Sequence, residues 1–176
     1  MGIISSNPLV ATMIHGLTEV GKKQADVSSA RFAKDFNGTG MGGTNKIKIV
    51  TSDFTRARMT AEIFAAKLGV TVVEDVRLRE RFFGTLDGGK DDRYGDVWEL
   101  DKDDADHTEF QVESVNSVRA RTVALVQELD TGDSTVMLVA HGDVLQIMQT
   151  AFEGVRGEEH RSLKHMETAE CRLLNK

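Results

Sequence analysis

Val136-Met137-Leu138-Val139-Ala140-His141-Gly142-Asp143 is an apolar run that stops at a histidine and a glycine. Five consecutive apolar residues bounded in this way read as a strand buried on both faces. A helical pattern resumes at once and predicts a helix over 143–152. The imidazole of His141 is therefore expected at the carboxyl edge of a sheet, where open α/β folds bind ligands.

Outward from this stretch, helix and strand alternate. Residues 17–36 predict a helix opened by Thr18, with Ala25, Ser28, Phe32 and Phe36 on one face. Residues 47–50 form a short β-branched strand. Residues 53–68 predict a helix with Ala57, Ala61, Phe64 and Leu68 in a stripe, closed by Gly69. A second strand is expected at 70–73. Ser114 opens a further helix that buries Val118, Thr122, Leu125 and Leu129, and 172–175 adds a last edge strand. The glycines at 38–43 and 84–95 read as loops. This order implies an α/β fold, a three-layer αβα sandwich around a mostly parallel sheet, as one domain over 1–176.

Bulk composition narrows the function classes. The 176 residues suffice for a self-supporting core, and 40% apolar with 28% charged content is ordinary for a globular protein. No apolar run is long enough to span a membrane. A net charge of −6 argues against nucleic-acid binding, while leaving room for a cationic pocket that takes a small anion. The single cysteine, Cys171, fits a reducing compartment, and with no targeting signature the default expectation is cytoplasmic.

Three segments carry the chemistry. Thr51-Ser52-Asp53-Phe54-Thr55-Arg56-Ala57-Arg58 follows a strand and enters a helix N-terminus, a natural anion site, where Arg56 could add a bidentate guanidinium. By itself it reads equally as solvated helix. Leu78-Arg79-Glu80-Arg81-Phe82-Phe83-Gly84 offers Glu80 as a loop acid or a surface charge cluster. His141 alone reads as a satisfied structural histidine as readily as a catalyst.

Together, in this order and spacing, the three segments resemble the histidine phosphatase superfamily, the phosphoglycerate mutase-like enzymes. Leu17-Thr18-Glu19-Val20-Gly21-Lys22-Lys23-Gln24-Ala25 is similar to the family's L-T-x-x-G-x-x-Q-A. Glu113-Ser114, ahead of the helix with Arg119 and Arg121, extends the likeness over residues 2–175. The resemblance implies phosphomonoester hydrolysis through a phosphohistidine. In it Arg56 binds the phosphoryl group, His141 stabilises its developing charge, and Gly142 offers a backbone N–H. Glu80 passes the proton to the leaving alkoxide. The acidic segment 87–113 is expected to form a substrate-selecting lid. The stretch from Glu80 to His141 looks short for a mutase cap, which favours a phosphatase over a phosphoglycerate mutase.

The chain departs from the family at its start. The first strand with its Arg-His-Gly nucleophile motif is absent. Residues 2–9 resemble the loop after it, where Ser5 and Ser6 are assigned to substrate binding, and Met1 reads as an internal or introduced start. In the resembled fold the missing strand is central, flanked by 47–50 and 136–140. Either residues 8–14 fill that slot or the chain is poorly stable. Leu9-Val10-Ala11-Thr12-Met13-Ile14-His15-Gly16 is a rival nucleophile strand, but Ile14 stands where the arginine belongs and no phosphate loop follows.

A different class of function is thereby raised, an inactive phosphoryl-ligand binding or interaction module. Gly38-Thr39-Gly40-Met41-Gly42-Gly43 satisfies G-x-G-x-x-G yet precedes a strand, so it is read as a flexible loop. Neither metal nor cofactor is expected, and the partner is a small phosphorylated substrate or inorganic phosphate. Oligomeric state stays open.

Overall fold

A computed structural model describes residues 2–38, 46–130 and 134–174. The glycine-rich run after Gly38 lies outside them.

The sheet is built on β1 (Lys46–Thr51), which pairs in parallel with β2 (Val72–Glu74) on one side and β3 (Ser134–Val139) on the other. Alternation along β1 sends successive side chains to opposite layers. Ile49 packs with Ala61, Phe64 and Ala65 of α3 (Thr55–Leu68), and Phe32 of α2 (Glu19–Gly38) joins them. Val50 turns the other way, onto Leu78 and onto Leu125 of α5 (Val115–Leu129). α6 (Gly142–Glu153) lies against α5 through Val144, Ile147, Val115 and Val118. Helices thus cover both faces of a parallel sheet, the three-layer α/β arrangement.

Local signals act where expected. Thr18 Oγ1 accepts from the amide of Gly21 at 3.1 Å and opens α2. Ser114 accepts from Ser117 and opens α5. Gly69 takes a left-handed φ of 69° and closes α3 by donating to Ala65 O. Because Val70 also donates back to Ala65, the chain leaves the helix late and β2 starts at Val72, two residues after the expected 70.

The sheet order corrects the expected slot. β1 and β3 are direct neighbours over six residues, from Lys46 opposite Ser134 to Thr51 opposite Val139. No strand lies between them, so their facing hydrogen-bond ladders are satisfied and the stability penalty attached to a vacancy there does not arise. Residues 8–14 do not enter the sheet either. Asn7 accepts from Leu9 N, Pro8 occupies the first helical position, and Pro8–Ala11 forms a helical turn, α1. Among the described residues 172–174 form no strand, and residue 175 lies outside them. β3's other edge borders the cavity described below.

The N-terminal segment pairs instead with the acidic segment 87–113. Ile4 exchanges backbone hydrogen bonds with Gly88 and Gly89 and is buried with Phe83, Leu86, Val97 and Val112. That segment is not irregular, since it holds α4 (Tyr94–Asp101). It is fastened by a fully buried pair, Arg81 donating to both carboxylate oxygens of Asp101 at 2.7 and 2.8 Å. His107 Nε2 meets the same carboxylate at 2.7 Å. No helix among the described residues is long and apolar enough to cross a membrane.

Removing one member of a buried pair strands the other charge. Asp101→Ala is therefore expected to lower unfolding free energy by about 3–5 kcal/mol, read from urea denaturation. A change under about 1 kcal/mol would show that the pair does not hold the segment down.

Candidate active site

The β1–β3 register delivers the site. Both strands end together, so the turn into α3 and the turn into α6 emerge side by side. His141 has extended backbone at the entry to α6 and is 5% exposed, with its Nε2 3.0 Å from Ser52 Oγ. Burial first, then the positive charges of Arg56 and Arg121, holds its imidazole well below the ordinary 6.5, so it is neutral at physiological pH.

Arg56 lies on the first turn of α3, its guanidinium over the Phe54 ring at 5.4 Å. Nη2 donates to Ser5 O at 3.0 Å and stands 3.9 Å from Glu80 Oε2. Nη1 is buried and has no protein partner, a donor left for a ligand. The side chain of Glu80 is only 11% exposed. Burial, then the neighbouring charge of Asp143, pushes its carboxyl up to about 7 against the opposing pull of Arg56.

Arg56, Glu80, His141 and Gly142 line one cavity of about 1320 Å³ that runs along the outer edge of β3. Gly142 begins the twelve-residue α6, whose first N–H groups have no partner within the helix and favour an anion. A guanidinium, a helix N-terminus and a neutral imidazole thus meet a carboxyl that can gain or lose a proton near neutrality. Such a set can bind a phosphoryl-sized anion and move a proton beside it.

Residues 14–175 match the Histidine phosphatase superfamily (branch 1). The chain belongs to that superfamily. It is 34% identical over 124 residues to a probable phosphoglycerate mutase GpmB of Klebsiella pneumoniae (strain 342), covering 66% of this chain and 57% of that protein. The chain therefore spans little more than half the length of that relative. Among solved structures, mycobacterial hydrolase 1 superposes with a TM-score of 0.75 at 26% identity, over 95% of this chain and 78% of that one. A mycobacterial glucosyl-3-phosphoglycerate phosphatase complexed with VO3 gives 0.71 at 26% identity, over 95% and 85%. The same phosphatase with inorganic phosphate gives 0.69 at 25%, over 93% and 82%.

Within this superfamily member the remaining sequence candidates fall in different places. Ser5 Oγ is buried beside Arg56 without a protein partner. Ser6 is engaged elsewhere: its hydroxyl donates to Asp87 at 2.7 Å and accepts from the Phe83 amide at 2.9 Å, which holds the turn after Glu80. His15 is exposed at a φ of 60° and does not line the cavity. Arg121 braces the other side of that turn, pairing with Glu113 and donating to Arg79 O at 2.9 Å.

Sequence reading passed over several neighbours. Asp143, next after the His-Gly, accepts from Trp98 Nε1 at 3.1 Å and raises the Glu80 carboxyl. Trp98 in turn carries Arg161 stacked 3.8 Å over its ring. His165 sits so close to α6 that a Cβ on Gly142 would lie 3.3 Å from its ring. Only Asp143 had a local signal, its place beside His141; the others arrive from distant segments.

The two titrations have opposite signs. Glu80, raised in the fold, contributes stability that is full below 4.5 and lost as pH rises through about 7. His141, depressed in the fold, contributes stability present above 6.5 and lost as pH falls. Glu80→Gln is thus expected to gain on the parent by on the order of 1–3 kcal/mol between pH 5 and 8. Urea unfolding at both pH values checks this, and a constant difference would remove the raised carboxyl.

Proposed function

We propose that this chain carries the site of a phosphomonoester hydrolase that works through a phosphohistidine. What supports this is the convergence of Arg56, Glu80, His141 and the amide of Gly142 on one cavity, with Glu80 titrating near neutrality. Arg56 and the α6 N-terminus hold the phosphoryl oxygens. His141 donates a hydrogen bond to the charge that builds on them in the transition state. Glu80 in its protonated form gives its proton to the departing alkoxide as the P–O bond breaks. The resulting carboxylate then takes a proton from the water that attacks the phosphohistidine. The substrate is a small phosphorylated molecule, with Tyr94 and Trp98 of the 87–113 segment beside its non-phosphate part.

The phosphoryl-accepting histidine is not among the five of this sequence. His15 lies off the cavity, His107 is bound to Asp101, and His160 is enclosed near the same carboxylate. His165 lines the same cavity but leans on α6 and is turned to Gln146. In the family this group sits in an Arg-His-Gly, a triplet that does not occur among these 176 residues. The reading for these residues by themselves is therefore a phosphoryl-ligand binder. A mutase is the rival, carried by the likeness to the probable phosphoglycerate mutase of Klebsiella pneumoniae. The short stretch between Glu80 and His141 favours the hydrolase.

Calorimetric titration with vanadate and inorganic phosphate, alongside p-nitrophenyl phosphate hydrolysis, tests the reading. Binding without turnover is expected, with Arg56→Ala weakening it about tenfold or more. Absence of binding would overturn the site, and steady phosphate release by the chain alone would overturn the missing acceptor.

A further inference from the structure

Ser52 closes β1 and is fully buried. Its amide donates to Val139 O at 3.0 Å, which carries the β1–β3 ladder one residue past the strand. The Thr51 hydroxyl bridges Ser52 O and Val139 O, at 3.2 Å each. The backbone under the Ser52 side chain is therefore held by two strands at once.

The hydroxyl has two neighbours. Its Oγ accepts from the Phe54 amide at 3.2 Å and lies 3.0 Å from His141 Nε2. A serine hydroxyl has one proton to donate, and a neutral imidazole carries one N–H. Were the imidazole proton on Nε2, it would point at Oγ, and the serine proton would be buried with no acceptor. With the proton on Nδ1, the serine donates to the Nε2 lone pair and both groups of this buried contact are satisfied. An unmade hydrogen bond in a closed site is the costlier arrangement.

We propose that Ser52 is a positioning residue that locks His141 as its Nδ1–H tautomer, so that the ring offers the cavity a donor and not a lone pair. The consequence matters for an anion site, because phosphoryl oxygens only accept hydrogen bonds, and a lone pair facing them would repel. The other groups around the ring agree with a neutral, oriented imidazole. The Phe54 ring stands 5.2 Å away, and the charges of Arg56 and Arg121 oppose a second proton. The tautomer stands on hydrogen-bond accounting alone; its value to an anion rests on the function proposed above.

Long-range ¹H–¹⁵N spectra of the ¹⁵N-labelled chain at pH 7.5 read the tautomer directly, with the His141 signals assigned by their loss in His141→Gln. A pyrrole-type Nδ1 and a pyridine-type Nε2 are expected. Ser52→Ala is expected to shift the pair toward a mixture, Ser52→Thr to keep it, and phosphate affinity to fall roughly three- to tenfold in the alanine variant. A pyrrole-type Nε2 in the unsubstituted chain overturns the proposal, whether or not the variants fold. So do His141 signals unmoved by Ser52→Ala. The expected tautomer shift in a chain that binds no phosphate upholds the lock and rejects the functional reading instead.

Discussion

The direct parallel pairing of β1 with β3 is the constraint on which the site depends. Six residues in register bring Thr51 opposite Val139, so the residues just beyond, Ser52 and His141, come within hydrogen-bonding distance. Slip the register by one residue and each side chain changes face. The first turn of α3, with Arg56, and the N-terminus of α6 would then no longer stand side by side. The sheet is small, but its ends fix the relative positions of two helix N-termini, and that is what an anion site needs.

Local features of this fold were legible in the sequence, and non-local ones were not. The His141 strand end, the α3 stripe, the Thr18 and Ser114 openings and the Gly69 closure are each written within a few residues. Sheet order is different. Nothing in the periodicity of 47–50 or 136–140 says which strand each one touches, and a slot was expected between them where none exists. Residues 8–14 left two alternatives open for a related reason. Their apolar run from Leu9 to Ile14 has strand-like composition, yet Asn7-Pro8 is a helix-opening pair, and the buried contacts of Ile4 come from segments far away in sequence.

The candidate site was legible as a set of residues, but not as an electrostatic unit. Glu80 reads as one charge among arginines. In the fold its flanking arginines leave it: Arg79 pairs with Asp53, and Arg81 turns inward to Asp101. That divergence strips Glu80 of both flanking guanidinium groups and leaves it only the Arg81 backbone amide, which donates to Oε1 at 3.1 Å. Burial and Asp143 then outweigh the opposing pull of Arg56, of the Arg81 backbone amide and of Arg121. A carboxyl poised near neutrality is thus made by where its neighbours point.

The Arg81–Asp101 pair also bears on how ligands reach the site. It ties the end of α4 to the very turn that presents Glu80, through groups with no solvent contact. Swinging α4 outward would carry two bare charges apart in a low-dielectric interior, so the helix stays fixed against the Glu80 turn. A ligand that reaches the site therefore meets a Glu80 carboxyl that the fold has already set, with no closing movement of α4 needed to place it.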